Sequence, residues 1–180
     1  MCTAVYYLHS FGIVHRDLKP ENVLMVENSD SAVVKLIDFG LSKIIGPTQT
    51  CNEPYGTLSY VAPEVLLQKP YDKAVDVWSL GIILFLLLGG ALPFDDDEDR
   101  EIARQTIYEK VDFSYKTWDA VSTPAKDLIT KMLEKDKKKR IKLDEVLQHS
   151  WITTNKSLLE RRRNSGDSKA ELLKAYTTTS

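Results

Sequence analysis

The run of twelve residues from Val77 to Leu88 is the most apolar stretch of the chain, interrupted only by Ser79 and Gly81. A transmembrane helix needs roughly 20 consecutive apolar residues, so this run is too short to span a bilayer. A helix that is apolar all round is typical of the centre of a globular core. Asp76, directly before the run, places an anion in the first helical turn, where the helix dipole stabilises it. We therefore predict a globular domain with this helix buried on all sides.

The overall composition limits the partners and the compartment. With 180 residues, of which 43% are hydrophobic and 28% charged, the chain can bury one core and has the composition of a soluble globular protein. The formal net charge of −2 gives no electrostatic reason to expect nucleic acid or a membrane as partner. Cys2 and Cys51 have no metal-binding or redox spacing, and the first ten residues contain no secretory signal. We expect a cytoplasmic protein, with the nucleus left open.

Local patterns predict a mainly α-helical domain with one small β-hairpin. The end of a helix is expected over Ala4–Leu8 because Gly12 breaks it, and Val23–Met25 is expected to pair with Val33–Ile37. Residues 41–61 are predicted to form one long irregular loop, which in compact domains is usually functional. Three more helices are predicted: about Glu98 to Glu109, from Thr123 as cap with Pro124 as first helical residue, and from Leu143 to near Trp151.

Two charged segments each have two interpretations. Asp95–Asp99 could bind cations or basic peptides, or it is solvated charge at the N-terminus of a helix. Residues 153–180 are polar and contain Arg161-Arg162-Arg163 with scattered leucine pairs. This tail is either a basic amphipathic helix that binds calmodulin or inhibits the domain, or a partly ordered tail with some helix.

Three short motifs precede the central helix in the order His15-Arg16-Asp17-Leu18-Lys19-Pro20-Glu21-Asn22, Asp38-Phe39-Gly40 and Ala62-Pro63-Glu64. Phosphoryl transfer needs positioning, charge neutralisation and a group that orients the nucleophile. Asp17 can align a hydroxyl and accept its proton, and Lys19 is a cation for the migrating phosphate. Asn22 and Asp38 are oxygen ligands that suit Mg²⁺. Each motif alone is weak evidence, since Asp17 by itself could bind backbone amides in a loop, but together they predict a site of phosphoryl transfer.

With these motifs the chain resembles the C-terminal lobe of eukaryotic protein kinases over about residues 1–152. Lys19-Pro20-Glu21-Asn22 and Gly56-Thr57-Leu58-Ser59-Tyr60 are similar to serine/threonine kinases rather than tyrosine kinases. Val75–Leu88 with Pro93-Phe94, and Arg140–Trp151, resemble the calcium/calmodulin-dependent and calcium-dependent kinase group. The resemblance implies a protein-kinase-like fold, ATP and Mg²⁺ as cofactors, and a Ser- or Thr-containing protein substrate. It also implies calmodulin or a calcium-sensing region as an optional partner.

The resemblance implies a role for each residue of the first two motifs. Asp17 would be the catalytic base, Lys19 would contact the γ-phosphate, and Asn22 and Asp38 would be the Mg²⁺ ligands.

Four further residues would lie around the nucleotide and the acceptor. Leu24 would lie beneath the adenine ring with Ile37 beside it, and the alternative for both is the core of the hairpin. Glu21 would lie near the ribose and could also meet a basic substrate side chain. Thr57 would hydrogen-bond toward the catalytic base and its lysine neighbour, and its alternative role is a turn hydroxyl.

Other residues are expected to be scaffold. By resemblance, Asp76 would hold the backbone around His15 and Arg16. His15 and Phe39 would stack in the hydrophobic column that links the two lobes of a kinase. Further along the chain, Glu64 and Arg140 would form a buried ion pair that fixes the activation segment.

Glu53 lies nine residues before Ala62, where many related kinases carry a phosphorylatable Thr. The resemblance implies a basic pocket there from Arg16 and Lys43, in which a carboxylate could partly replace phosphate. We therefore expect activation without loop phosphorylation at this position, and the alternative is an ordinary exposed loop acid. The alternative phosphosites are Thr48 and Thr50.

The 180 residues contain no glycine-rich phosphate loop, no strand Lys paired with a helix Glu, and no adenine-binding hinge. We therefore expect a kinase fragment, a mis-started gene model or half of a larger product, without activity on its own. The competing hypothesis is a non-catalytic kinase-lobe binding or regulatory module. The sequence has no EF-hand loop of the acidic, glycine-containing kind, and it leaves open whether calcium acts on the protein directly.

Overall fold

The computed structural model describes residues 1–26, 34–46 and 49–155 of the chain. It contains six α-helices and four short strands in these ranges, and residues 150–155 are helical as well. The helices are α1 (Cys2–Ser10), α2 (Pro63–Leu66), α3 (Ala74–Gly89), α4 (Asp99–Tyr108), α5 (Thr123–Met132) and α6 (Leu143–Gln148). The strands are β1 (Ile13–Val14), β2 (Val23–Met25), β3 (Val34–Leu36) and β4 (Lys43–Ile44). Three 3₁₀ turns cover Pro20–Asn22, Leu58–Tyr60 and Lys116–Trp118.

Helix α3 is the centre of the domain, as its apolar sequence predicted. Its residues enter two hydrophobic clusters: Trp78 packs with Phe94 and Trp118 in one, and Leu80 packs with Leu128 in the other. The prediction of burial on all sides is wrong for the last turn, where Leu87 is 72% exposed. Among the described residues, no helix has the length and apolarity needed to cross a membrane.

Two glycines lie at helix ends, and Gly12 was predicted to do so. Gly90 has a φ of +81° and caps α3 through a hydrogen bond from its N–H to Leu86. Gly12 has a φ of +72° and turns the chain from α1 into β1. A Cβ at Gly12 would lie 2.6 Å from the carbonyl oxygen of Ile45, so this turn has room for no other residue.

The predicted hairpin is confirmed within the described residues, since β2 pairs with β3 antiparallel and Val23 lies opposite Leu36. Val33 lies outside the described residues, and Ile37 lies just beyond the strand. The prediction of one irregular loop over residues 41–61 is wrong in part. Residues Lys43–Ile44 form β4 and pair with β1, a partner about 30 residues away that no local pattern could reveal.

The helix boundaries differ from prediction at two places. Ser122, not Thr123, is the N-cap of α5, and Thr123 is already helical. Helix α6 ends at Gln148, and Trp151 belongs to the helical residues 150–155 that follow a break at His149. Helix ends fray, so shifts of one or two residues are expected of any pattern-based boundary.

Candidate active site

Asp17 is the centre of a hydrogen-bonded cluster that joins two loop segments. Thr57 donates to Asp17 Oδ1 twice, from Oγ1 at 2.8 Å and from its backbone N–H at 3.2 Å. Lys19 Nζ lies 3.0 Å from Asp17 Oδ2 and donates to Thr57 Oγ1 at 2.8 Å. Asn22 Nδ2 donates to Asp17 Oδ2 at 3.1 Å and to its backbone carbonyl at 2.8 Å. The contacts predicted for Thr57 are confirmed, and it holds the carboxylate rather than serving only as a turn hydroxyl.

The cluster stabilises the charged form of Asp17 and also fixes its orientation. Partial burial acts to raise the pKa of Asp17, but the hydrogen bonds from Lys19, Thr57 and Asn22 outweigh it and hold the pKa below its usual range. Asp17 is therefore ionised at neutral pH and has a fixed rotamer. Such a carboxylate can align a hydroxyl group and accept its proton once that proton becomes acidic.

Asn22 and Asp38 lie at adjacent points of the hairpin. The backbone N–H of Ile37 donates to the carbonyl of Asn22 at 3.0 Å. Asp38 is the next residue in the chain, so this hydrogen bond brings its backbone close to that of Asn22. Asn22 is buried, and its amide nitrogen is committed to Asp17, which makes its side-chain oxygen the atom that a cation would bind. Asp38 is exposed, and its Oδ1 accepts from the N–H of Gly40 at 3.0 Å.

Asn22 and Asp38 offer too few ligands for a metal that is bound by protein groups alone, but they could hold Mg²⁺ together with a nucleotide. In the described ranges no group of three or more His, Cys, Asp or Glu side chains could hold a metal. Mg²⁺ usually keeps several waters and binds one or two protein groups together with substrate phosphates. One amide and one carboxylate therefore suit a magnesium ion that arrives with a nucleotide.

The backbone before Asp17 is held by Asp76, which is fully buried in the first turn of α3. Its carboxylate accepts from the backbone N–H groups of His15 and Arg16, each at 2.9 Å, and lies 2.8 Å from His9 Nε2. Arg16 has a φ of +70°, a conformation that costs a non-glycine residue about 1–2 kcal/mol. Asp76 offsets this strain by binding the N–H of the strained residue, so the predicted scaffold contact is confirmed.

Glu53 lies in the predicted basic pocket. One carboxylate oxygen accepts from Arg16 Nη1 at 3.3 Å, and the other accepts from Lys43 Nζ. The hydrogen bond from Lys43 lowers the pKa of Glu53 to about 2. The backbone carbonyl of Glu53 also accepts from the hydroxyl of Tyr71, which itself lies 3.2 Å from Arg16 Nη1. The carboxylate is therefore an anchored member of the site, and not a free loop acid.

Glu64 and Arg140 form the predicted buried ion pair. Both guanidinium nitrogens donate to the carboxylate, at 2.7 and 2.8 Å, and the two side chains are 6% and 0% exposed. Arg140 also donates to the carbonyls of Ala74 and Glu134 at 3.0 and 2.9 Å. The pair thus connects α2, which follows the activation segment, to the start of α3.

The two residues predicted to lie beside the nucleotide base, Leu24 and Ile37, are exposed apolar side chains. Leu24 is 50% and Ile37 is 40% exposed, so neither belongs to a hairpin core and that alternative is wrong. Phe39, 46% exposed, has its ring centroid 5.1 Å from that of the buried His15. Glu21 is exposed as well, at the 3₁₀ turn before β2. We call Leu24, Ile37 and Phe39 the apolar face.

Sequence reasoning missed two contributors to the site. His9 binds Asp76 across 67 positions, and Tyr71 binds the Glu53 carbonyl across 18 positions. Neither residue belongs to one of the three motifs, and their partners are far away in the chain, so only the fold reveals these contacts.

This geometry, an oriented carboxylate with a lysine and an amide beside it, accords with a match of residues 1–152 to the family model described as protein kinase domain. The chain belongs to the protein kinase family. The residues that the motifs predicted to be kinase-like, about 1–152, are the same residues that the family model matches.

Similar proteins place the chain within that family. It is 48% identical over 155 residues to calcium/calmodulin-dependent protein kinase type 1B of Rattus norvegicus. The matched residues cover 86% of this chain and 45% of that protein. It is 46% identical over 155 residues to myosin light chain kinase A of Dictyostelium discoideum, covering 86% and 52%. It is 46% identical over 144 residues to calcium-dependent protein kinase 11 of Oryza sativa subsp. japonica, covering 80% and 25%.

These matches confirm the predicted resemblance to calcium/calmodulin-dependent and calcium-dependent serine/threonine kinases. The chain spans about half the length of the first two relatives and a quarter of the third.

Proposed function

We propose that this chain supplies the catalytic and substrate-facing groups for transfer of the γ-phosphoryl group of ATP to Ser or Thr hydroxyls of proteins. The observation that carries the proposal is the cluster of Thr57, Asp17, Lys19 and Asn22, in which every group restrains the Asp17 carboxylate. A binding role alone would not require a carboxylate, a lysine and an amide in this arrangement.

Each residue then has a defined task. Asp17 accepts a hydrogen bond from the acceptor hydroxyl and takes its proton as the bond to phosphorus forms. Lys19, held between Asp17 and Thr57, places a cation beside the phosphoryl group. Asn22 and Asp38 would hold Mg²⁺, which neutralises the phosphate oxygens of the nucleotide when it is bound.

The test measures the rate of phosphate transfer from ATP to Ser/Thr peptides. It compares the chain, extended by whatever residues its transcript encodes upstream of Met1, with two variants of the same extended chain. Asp17→Asn should lower the rate by a factor of roughly 10²–10⁴, since the general base is lost. Asp112→Asn, which changes an exposed loop carboxylate, is the matched control and should leave the rate unchanged. Equal rates for wild type and Asp17→Asn would contradict the proposal.

We also propose that the apolar face needs a cover before ATP binds tightly. Leu24, Ile37 and Phe39 are each at least 40% exposed, and binding sites for flat ligands are usually concave and enclosed. The 180-residue chain alone should therefore bind Mg²⁺–ATP weakly and transfer little phosphate. Calorimetric titration checks this, and submicromolar binding would prove it wrong.

The exposed apolar face supports a second candidate function, a kinase-lobe module that binds partners without catalysis. This candidate predicts that Asp17→Asn leaves the biological role of the chain intact. The first candidate predicts that the same variant abolishes it, so one substitution separates the two.

For the activation segment, we propose that Glu53 takes the place of a phosphorylated residue. It already bridges Arg16, the neighbour of Asp17, to Lys43. Glu53→Ala in the extended chain should lower turnover, whereas Thr50→Ala should not. Unchanged turnover in Glu53→Ala would count against this role.

We propose two parts for the chain, a kinase lobe over residues 1–152 and a tail over residues 153–180. Most of the tail, residues 156–180, lies outside the described residues. Because two relatives carry calmodulin or calcium in their names, the tail is also proposed to bind calmodulin. A calcium-dependent pull-down with calmodulin, with and without residues 156–176, tests this, and equal capture by both forms would exclude it.

A further inference from the structure

Ser79 links the central helix α3 to the segment that carries Thr57. Its side chain is buried, and its hydroxyl lies 2.9 Å from the carbonyl oxygen of Tyr60 and 3.1 Å from that of Val75. A hydroxyl has one hydrogen to donate, so it can serve one of these two carbonyls at a time. Val75 lies inside α3, four residues before Ser79, where its carbonyl accepts a helical hydrogen bond. The donor is therefore needed more at Tyr60.

The local sequence offers the Tyr60 carbonyl no 3₁₀ donor. Tyr60 is the last residue of the 3₁₀ turn Leu58–Tyr60, and the last carbonyls of a helix have no partner within it. A continued 3₁₀ pattern would take the donor from three residues further on, and that residue is Pro63, which has no N–H. The Ser79 hydroxyl supplies this donor, and it fixes the end of the turn to α3.

The same turn is connected to the Asp17 carboxylate. The N–H of Tyr60 donates to the carbonyl of Thr57 at 2.9 Å, and Thr57 donates twice to Asp17 Oδ1. Gly56, directly before Thr57, has a φ of +126°, and a Cβ there would lie 3.0 Å from the carbonyl oxygen of Arg16. The segment thus passes close to the backbone before Asp17. A shift of the turn would move Thr57 relative to the carboxylate.

One face of α3 therefore holds both sides of the cluster. Asp76 accepts from the backbone N–H groups of the two residues before Asp17. Ser79 is three positions further along α3 and so lies on the same face. We propose that Ser79 is a positioning residue: its hydroxyl fixes the 3₁₀ turn so that Thr57 meets the Asp17 carboxylate. The consequence for the rate rests on the proposed function, whereas the contact between Thr57 and Asp17 does not.

The first test follows the ¹³Cγ resonance of Asp17 by NMR in the 180-residue chain as the pH is lowered. Burial acts to raise the pKa of Asp17, and the hydrogen bonds from Lys19 and Thr57 lower it. In Ser79→Ala the bonds from Thr57 should loosen, so the midpoint should rise. Ser79→Thr keeps the hydroxyl and should keep the wild-type midpoint.

Two further variants separate positioning from general loosening of the fold. Ser10→Ala, the matched control, removes an exposed hydroxyl that donates to the carbonyl of Tyr7 at 2.7 Å, and it should leave the Asp17 midpoint unchanged. Thr57→Val should raise the midpoint by itself, and adding Ser79→Ala should then raise it less than in the wild type. An unchanged midpoint in Ser79→Ala would overturn the proposal, as would an equal rise with and without the Thr57 hydroxyl.

The second test measures phosphate transfer by the extended chain. Ser79→Ala should lower kcat by roughly tenfold with little change in the KM for ATP, because the loss of one hydrogen bond at a positioned group has that scale. Ser79→Thr should restore kcat, and an unchanged kcat in Ser79→Ala would contradict the positioning role. Absence of transfer by the wild-type extended chain would contradict the proposed function alone, since the NMR titration still decides the role of Ser79.

Discussion

Replacing Glu64 by Gln tests how strongly the buried ion pair stabilises the domain. The variant keeps the size of the side chain but leaves the Arg140 charge without its partner. In the wild type the carboxylate accepts hydrogen bonds from two guanidinium nitrogens of Arg140, at 2.7 and 2.8 Å. The variant places an amide NH₂ group, itself a donor, against one of these two donors.

The expected cost follows from the burial of the pair. Since Arg140 is 0% and Glu64 6% exposed, water cannot replace the lost carboxylate, and breaking such a pair from one side costs about 3–5 kcal/mol. The carbonyls of Ala74 and Glu134 still accept hydrogen bonds from Arg140 in the variant, so the loss of stability should not exceed this range. Domains of this kind are stable by about 5–15 kcal/mol, so the variant should lose a large fraction of its stability.

The assay is urea unfolding followed by circular dichroism, in a double-mutant cycle with Arg140→Met. The double variant should lose less than the sum of the two single losses, with a coupling of about 1–3 kcal/mol, because it removes both buried charges together. Glu101→Gln, which breaks an exposed pair with Arg104, is the control and should change the midpoint little. Strictly additive losses, or a loss below 1 kcal/mol for Glu64→Gln, would refute the reasoning.

Two further predictions concern single positions. Gly12→Ala should destabilise the domain more than Gly90→Ala in urea unfolding. Both glycines have positive φ, but only at Gly12 would the new Cβ meet a carbonyl oxygen, that of Ile45 at 2.6 Å. Equal losses of stability in the two variants would contradict this. Because the pKa of Glu53 is lowered from 4.5 to about 2, its stabilising contribution is complete above pH 4.5 and is lost as the pH falls toward 2. The stability difference between wild type and Glu53→Gln should therefore vanish across that range, and a difference that is constant from pH 6 to pH 2 would count against it.

The elements that local chemistry specifies were predictable from the sequence. The twelve apolar residues of the central helix, the two short β-rich runs of the hairpin, and Gly12 as a helix end all act through neighbouring residues. The first motif also predicted that Lys19 and Asn22 lie close to Asp17, because they are two and five positions away, and the family resemblance predicted the contact with Thr57. The roles of Asp17, Asn22 and Asp38 in catalysis and magnesium binding stay predictions.

Other features depend on partners that are distant in the chain. The pairing of β4 with β1 and the His9–Asp76 contact each join residues about 30 or more positions apart. A residue type alone cannot indicate such a partner, because many positions offer the same chemistry. The outcome depends on which groups the packed helices bring together.

The sequence by itself determined the family, the central helix and the residues available for phosphoryl transfer, since these follow from residue type and spacing. Only the tertiary structure decided the orientation of those residues and the partners of their charges. The Asp17 carboxylate is held in one orientation because Lys19 and Thr57 close around it, and Glu53 is anchored because Arg16 and Lys43 meet there. Electrostatic energies depend on distance and burial, and both quantities exist only once the chain has folded.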